Sequence, residues 1–387
     1  MKKRIFALLI SLVILFWSDV YAYASVGVSA ESAVLMCAEN GEILFSRNAD
    51  RRLSMASTTK IMTALIALES ATPEKEIVVT EEMVSVEGTS MGLMPGDSVS
   101  LLELVYGMLL QSGNDAANTV AYVIGGNPDS FARLMNERAS EIGMDNTNFV
   151  TASGLDDENH YSTAYDMALL AAECMRNPEF AEICSQKKAK LTYGNPPYAR
   201  TLTNHNKLLW KYSDSVGIKT GFTKKSGRCL VSAAKRNGIT LIAVTLNAPD
   251  DWNDHISMFE YGFSKCKSVK LSCDLSEIAV NVVGGEKDKV GVKLSHNPVF
   301  VEGESVYCRI FLHPIEYAPI PKDSFLGTAV FYSENTVIDE VPLLANESIF
   351  IKYVPIEETE KKSGIFSYLV EKIKDYFNIS GGEPIGR

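Results

Sequence analysis

Two hydrophobic rhythms divide the chain. Near the start, Ala33-Val34-Leu35-Met36 and Ile43-Leu44-Phe45 flank the polar stretch Glu39-Asn40-Gly41-Glu42. Asn-Gly between apolar runs predicts a hairpin over residues 26–48, because glycine accepts the positive φ that tight hairpin turns need. A near-continuous apolar run, Ile61 to Leu68, then predicts a helix whose first turn opens at Ser57. From Ile77 to Gly143 the pattern reads as mostly helical, with Leu101–Leu110 and Ala116–Ile124 its apolar-rich segments. A loop, Gly154 to Ser162, leads to a helix over Ala164–Met175, and Pro196-Pro197 breaks a region of short strands and turns between Leu191 and Asp214. Strands follow at Val216–Phe222, Cys229–Ala234 and Ile239–Leu246, then a helix at Trp252–Phe263. Strands at both ends with helices between them predict an α+β domain over residues 25–267 in which the first hairpin completes a terminal sheet.

Past residue 268 the period becomes two: Ile278, Val280 and Val282, then Val290, Val292 and Leu294, then Val306, Cys308 and Ile310 alternate with other residues. That predicts a small all-β module over residues 268–360, a spacer or binding platform. The tail, 361–387, changes again. Ile365, Phe366, Leu369, Val370, Ile373, Tyr376 and Phe377 share one helical face, opposite Glu371, Lys374 and Asp375. At about 1.5 Å per residue this helix reaches about 20 Å, short of a bilayer core of about 30 Å, so it is expected to lie in a membrane surface.

Composition narrows the class. With 387 residues, 46% hydrophobic and 22% charged, the chain can bury a sizeable core and exceeds one ordinary domain. A net charge of -11 excludes nucleic acid as the expected partner, since phosphate binders carry a basic face. Lys2, Lys3 and Arg4, the apolar run Ile5–Trp17 and Ala22-Tyr23-Ala24 read as a secretory signal over residues 1–24, cleaved before Ser25. The mature protein is therefore expected outside the cytoplasmic membrane. Seven scattered cysteines without a Cys-x-x-Cys form neither a disulfide framework nor a zinc site, and five histidines lack any His-x-x-x-His pairing. No metal or other cofactor is expected.

The candidate chemistry starts at Ser57-Thr58-Thr59-Lys60. Residues three apart are neighbours on a helix, so the Lys60 amine can reach the Ser57 hydroxyl, and a serine needs such a base to become nucleophilic. The tetrad alone is cheap: Ser185–Lys188 and Ser264–Lys267 repeat it. Two further elements discriminate. Ser112-Gly113-Asn114 sits on a turn between two helical segments, and Lys219-Thr220-Gly221 on a strand, where glycine leaves room for a ligand backbone. Such a triple is the signature of penicillin-binding proteins and class A β-lactamases, with Asp where this chain has Gly113.

The runs Ala56–Leu65, Ser112–Ala117, Gly154-Leu155-Asp156 with His160–Ala164, and Gly217–Gly221 together resemble the serine-type D-alanyl-D-alanine carboxypeptidases, the low-molecular-mass penicillin-binding proteins. The resemblance covers essentially the whole chain and implies a β-lactamase/transpeptidase-like catalytic domain, a small β-domain and a membrane-associating tail. It implies that Ser57 is acylated, that Lys60 takes its proton, that Ser112 relays a proton to the leaving D-alanine, and that Asn114 holds the substrate amide. Lys219 and Thr220 would engage the terminal carboxylate or support proton traffic, and the N–H groups of Ser57 and Phe222, beside Gly221, would form the oxyanion hole. The implied partners are peptidoglycan stem peptides ending in D-Ala-D-Ala, β-lactam antibiotics and the membrane surface. Electrostatics agrees: two nearby buried lysines repel, so Lys60 is expected neutral while Lys219 keeps its proton. A β-lactamase is disfavoured, since the region from Ser162 to Lys219 offers no evident Glu to position a deacylating water. A catalytically silent wall-binding module is disfavoured by the intact Ser57, Lys60, Ser112 and Lys219. The loop Asp156–Thr163 lies where a lid could border the cleft, and a structural role is expected over a direct one.

Overall fold

The computed structural model describes residues 26–270, 274–302, 305–333, 336–353, 368–369 and 372–373. The expected signal lies outside the described residues, as does the tail except for Tyr368, Leu369, Lys372 and Ile373, which are helical. Among the described residues no helix is long and apolar enough to cross a membrane. The chain divides into two compact units: one runs up to Ser272 and takes in Asn297–Tyr307 and Tyr332–Asp339, and the other comprises Cys273–His296, Cys308–Phe331 and the residues from Glu340 onward.

The first unit is built on a five-stranded antiparallel sheet. Its strands are β1 (Ser32–Cys37), β2 (Ile43–Arg47), β7 (Ser215–Thr223), β8 (Gly227–Arg236) and β9 (Ile239–Leu246), in the order β2-β1-β9-β8-β7. The N-terminal hairpin thus completes a sheet whose other strands come from the far end of the domain, through the pairing of Val34 with Val244 and its neighbours. β1 is buried at every position, because both its faces are covered. One face packs Val34, Met36, Val231 and Val244 against the helical layer, and the other packs Leu35, Leu230 and Leu241 against α7 (Asp251–Lys265). This explains why β8 and β9 read as continuous apolar runs rather than alternating ones.

The helical layer comprises α1 (Lys60–Leu68), α2 (Leu101–Gln111), α3 (Asn114–Gly125), α4 (Pro128–Ile142), α5 (Ala164–Arg176) and α6 (Pro178–Ser185). Side chains set their starts: Ser100 accepts from the Glu103 N–H while Glu103 returns a bond to the Ser100 N–H, and Asn127 and Thr163 cap α4 and α5. The helical reading of Ile77–Gly143 holds for its second half only. Its first half contains β3 (Glu76–Val78) paired with β4 (Ser98–Ser100), joined by a largely irregular segment with glycines in the left-handed region at 88, 92 and 96. Those glycines break helical continuity where the apolar content alone suggests it. A hairpin of β5 (Lys188–Gly194) and β6 (Pro197–Thr203) fills the expected strand-and-turn region.

β10 (Ser268–Lys270) pairs with β13 (Val299–Val301). The second unit is all-β. In a six-stranded sheet, β11 (Ala279–Val283), β12 (Lys289–Leu294), β14 (Val306–Leu312), β15 (Glu316–Tyr317), β16 (Phe325–Ser333) and β17 (Thr336–Ala345) take the order β14-β16-β17-β12-β11-β15. Val280, Val282, Val290 and Val292 point to its core, as their period-two spacing predicts.

Candidate active site

The three motifs meet. Ser57 lies in a 3₁₀ turn, Ala56–Thr59, that runs directly into α1, so Lys60 opens that helix rather than sitting a turn inside it. Lys60 Nζ is 2.9 Å from Ser57 Oγ. Ser57, Ser112, Thr220, Gly221 and Phe222 line one cleft of about 330 Å³. The decoy tetrads Ser185–Lys188 and Ser264–Lys267 fall at the ends of α6 and α7, and neither lines this cleft.

The backbone around Ser57 is held in an uncommon form. Ala56 has φ 48, a left-handed conformation that costs an alanine about 1–2 kcal/mol. Its carbonyl accepts a hydrogen bond from Thr59 Oγ1 at 2.8 Å, and Thr58 Oγ1 donates to the Met55 carbonyl at 2.7 Å. Strain of this kind persists only where the surroundings over-determine it. Gly221 is part of those surroundings: a Cβ there would lie 2.9 Å from the Met55 carbonyl oxygen and 3.1 Å from the Thr58 nitrogen. The space that sequence reasoning reserved for a ligand backbone is therefore taken by the Ser57 turn, which β7 approaches closely.

Lys60 is fully buried and has three partners: Ser57 Oγ, Asn114 Oδ1 at 2.7 Å and the Ser153 carbonyl at 2.6 Å. The Asn114 orientation follows from its other end, because Nδ2 donates to the Glu87 carbonyl at 2.6 Å. Burial first, and then the Lys219 charge, hold the Lys60 amine well below its ordinary pKa, against a smaller opposing pull from Asp115. A neutral amine has two hydrogens and one lone pair. Asn114 Oδ1 and Ser153 O can only accept, so they take both hydrogens and the lone pair is left facing the Ser57 hydroxyl.

Asn114 has roles that the sequence does not announce. The amide said to hold the substrate serves Lys60 and the Glu87 carbonyl, so a bound peptide would meet only the second hydrogen of Nδ2. Ser112 closes α2 in the left-handed region at φ 62, which turns its side chain into the cleft. Gly113 is required by closeness: a Cβ would lie 2.7 Å from Asp115 Oδ1 and 3.1 Å from the Met91 nitrogen. Lys219 is buried, and its Nζ donates to the Thr220 carbonyl at 2.8 Å. Burial pushes it down to about 7, so its proton is held less firmly than an ordinary lysine's, and an anionic ligand beside it would favour the charged form.

Sequence reasoning missed several groups. The cleft is also lined by Thr89, His205, Lys207, Arg228 and Trp252. Arg228 faces Phe222 across the β7–β8 pair, and its Nη2 lies 2.6 Å from Asp251 Oδ1, with the guanidinium over the Trp252 ring at 5.4 Å. Ser153 contributes only a carbonyl, which no side-chain motif announces. In the Asp156–Thr163 loop, Asp156 Oδ1 accepts from Thr223 Oγ1 on β7 at 2.9 Å and from Ser54 Oγ at 3.3 Å, and no residue of the loop lines the cleft.

Known proteins resemble this chain over most of its length. Residues 20–250 match the family model of peptidase S11, described as D-alanyl-D-alanine carboxypeptidase. D-alanyl-D-alanine carboxypeptidase DacF of Bacillus subtilis is 30% identical over 97% of this chain and 99% of its own length, and DacC of Escherichia coli is 32% identical over 83% and 84%. Among solved structures, the D-alanyl-D-alanine carboxypeptidase DacD from Francisella tularensis superposes with a TM-score of 0.59 at 27% identity, covering 85% of this chain and 95% of that one. This chain belongs to the D-alanyl-D-alanine carboxypeptidase family, peptidase S11, and is a serine-type carboxypeptidase.

Proposed function

We propose that the protein removes the terminal D-alanine from peptidoglycan stem pentapeptides through an acyl-enzyme on Ser57, and that penicillins acylate the same serine. Lys60 takes the Ser57 proton as the oxygen attacks the carbonyl carbon of the penultimate D-alanine. Ser112 passes a proton to the departing amine, water then cleaves the ester, and Ser57 is restored. Lys219 and Thr220 receive the terminal carboxylate, beside the Arg228–Asp251 pair on the cleft wall. The N–H groups of Ser57 and Phe222 receive the oxyanion. Since a backbone group does that work, the exposed Phe222 side chain is free to set substrate preference. The expected signal and amphipathic tail support an extracytoplasmic enzyme attached peripherally to the outer face of the cell membrane.

The observation that carries this reading is the hydrogen-bond inventory of Lys60, whose two carbonyl acceptors leave its lone pair for Ser57. The test is D-alanine release from a peptide ending in D-Ala-D-Ala by wild type and by Ser57→Ala. Release by wild type alone is expected; equal release by both refutes the assignment.

A further inference from the structure

His160 is a buried imidazole that none of the proposed roles uses. Its Nδ1 accepts from the N–H groups of Val150 at 2.9 Å and Thr151 at 3.3 Å. Backbone N–H groups only donate, so Nδ1 carries the lone pair and the ring proton sits on Nε2. Nε2 lies 2.8 Å from Thr59 Oγ1, which already donates its own hydrogen to the Ala56 carbonyl and therefore accepts from the ring. One neutral tautomer satisfies every group in this chain of bonds.

The two ends of the ring touch the two segments that define the Lys60 amine. Thr59 immediately precedes Lys60 in the Ser57 turn. Val150 and Thr151 begin an arc whose remaining polar groups are also fixed: Thr63 Oγ1 donates to the Ala152 carbonyl at 2.7 Å, and the Gly154 N–H donates to Thr151 Oγ1 at 3.0 Å. Between those pins the arc presents the Ser153 carbonyl to Lys60. We infer that His160 is a positioning residue for the catalytic amine: it clamps the 150–154 arc to the Ser57 turn and so keeps the Ser153 carbonyl on Lys60.

This deepens the proposed acylation of Ser57 and rests on it. Facing the ring are Asp156 and Asp157 from its own loop, whose charges favour the imidazolium, and Lys60 from α1, whose charge opposes it. Burial dominates and lowers His160 to about 4. Below that pH a proton on Nδ1 would confront two N–H donors, and the clamp would open.

Two half-mimics separate positioning from bulk. In His160→Asn the carboxamide oxygen replaces Nδ1 and the contact with Thr59 is lost; in His160→Gln the amide nitrogen replaces Nε2 and the acceptor for Val150 and Thr151 is lost. Acylation by a fluorescent penicillin is followed from pH 4 to 10, alongside thermal melting. Each variant is expected to acylate about ten- to a hundredfold more slowly, the range for a group moved by about 1 Å. The acid limb of the rate profile is expected to move up by about one pH unit, because an unclamped arc admits water to Lys60 and relieves its desolvation. A folded variant with the wild-type rate, or a slower one with an unmoved acid limb, overturns the inference. Should both variants fail to fold, nitrogen chemical shifts of the wild-type ring at pH 7 decide: an unprotonated Nδ1 with Nε2–H supports the clamp, and the opposite tautomer or an imidazolium overturns it. Wild type that is never acylated would sink the proposed reaction instead, and the ring shifts would still judge the clamp.

Discussion

Replacing Gly154 with alanine places a methyl group where backbone already lies. Gly154 has φ +83, and a Cβ on it would fall 2.0 Å from the Ala56 carbonyl oxygen and 2.8 Å from Thr59 Oγ1. Ordinary contact begins at 3.4 Å, so the arc must retreat from the Ser57 turn by about 1.4 Å. Ser153 O, now 2.6 Å from Lys60 Nζ, would leave hydrogen-bond range. The amine then loses one of the two acceptors that aim its lone pair, and a displacement of this size costs about a hundredfold in rate. Strain alone must be separated from this effect. Gly41→Ala supplies the control, because φ there is +73 with nothing within 4 Å of the added atom. Both variants should lose about 1–2 kcal/mol to the left-handed backbone, visible as a lower melting temperature, with Gly154→Ala losing more. Only Gly154→Ala should slow acylation by a fluorescent penicillin. A Gly154→Ala protein acylated within about threefold of the wild-type rate would refute the argument that the Ser153 carbonyl aims Lys60.

Other expectations concern charge, the neighbouring loop and the tail. Burial lowers both Lys60 and Lys219, so the folded state releases protons that unfolded lysines hold to about pH 10.4; stability should therefore rise with pH above about 7 and be lost as pH falls through the folded values. In the free enzyme Lys219 loses its charge above about 7, so kcat/KM for a carboxylate-terminated peptide should fall there, while kcat holds to higher pH because the bound carboxylate retains the proton. A kcat/KM that stays flat to about pH 9 would contradict this. Asp115 accepts from Ser90 Oγ at 2.6 Å and from the N–H groups of Met91, Gly92 and Leu93 at 2.9, 3.1 and 3.0 Å; Asp115→Asn turns an amide toward those donors and should cost about 1–3 kcal/mol in urea unfolding. An unchanged midpoint would mean that this carboxylate does not anchor the loop. Truncation after Thr359 should convert a membrane-associated protein into a soluble one, and equal partition of both forms into vesicles would count against the tail as the anchor.

What the sequence made legible was set by spacing along the chain. Ser57 and Lys60 are three apart, so any helical geometry brings their side chains together, and Lys219-Thr220-Gly221 is strand-like in its own neighbourhood. That the first hairpin completes the terminal sheet was legible from strand-like runs at both ends of the domain, and the strand order was not. What stayed hidden depends on partners distant in sequence. The second acceptor for Lys60 is the Ser153 carbonyl, 93 positions away and without a side-chain signature. The bonds that tie Asn114 to Lys60 and to the Glu87 carbonyl have no signature in its own neighbourhood either. Gly221 reads as room for a ligand until the Met55 carbonyl is seen against it. β3 and β4 are three residues each, too short for period-two alternation to register beside the apolar content of their surroundings. Arg228 and Trp252 reach the cleft only because β8 pairs with β7 and α7 starts beside them.

The account stands on Ser57 being the atom that is acylated. Brief exposure of the protein to benzylpenicillin, a denaturing quench, trypsin and mass spectrometry test this directly, since cleavage after Arg52 and Lys60 isolates the peptide Leu53–Lys60. The expected result is one penicilloyl group on that peptide, localised to Ser57 and absent from Ser57→Ala. An unmodified protein, or an adduct on Ser112 or any other residue with Ser57 left free, would contradict the account.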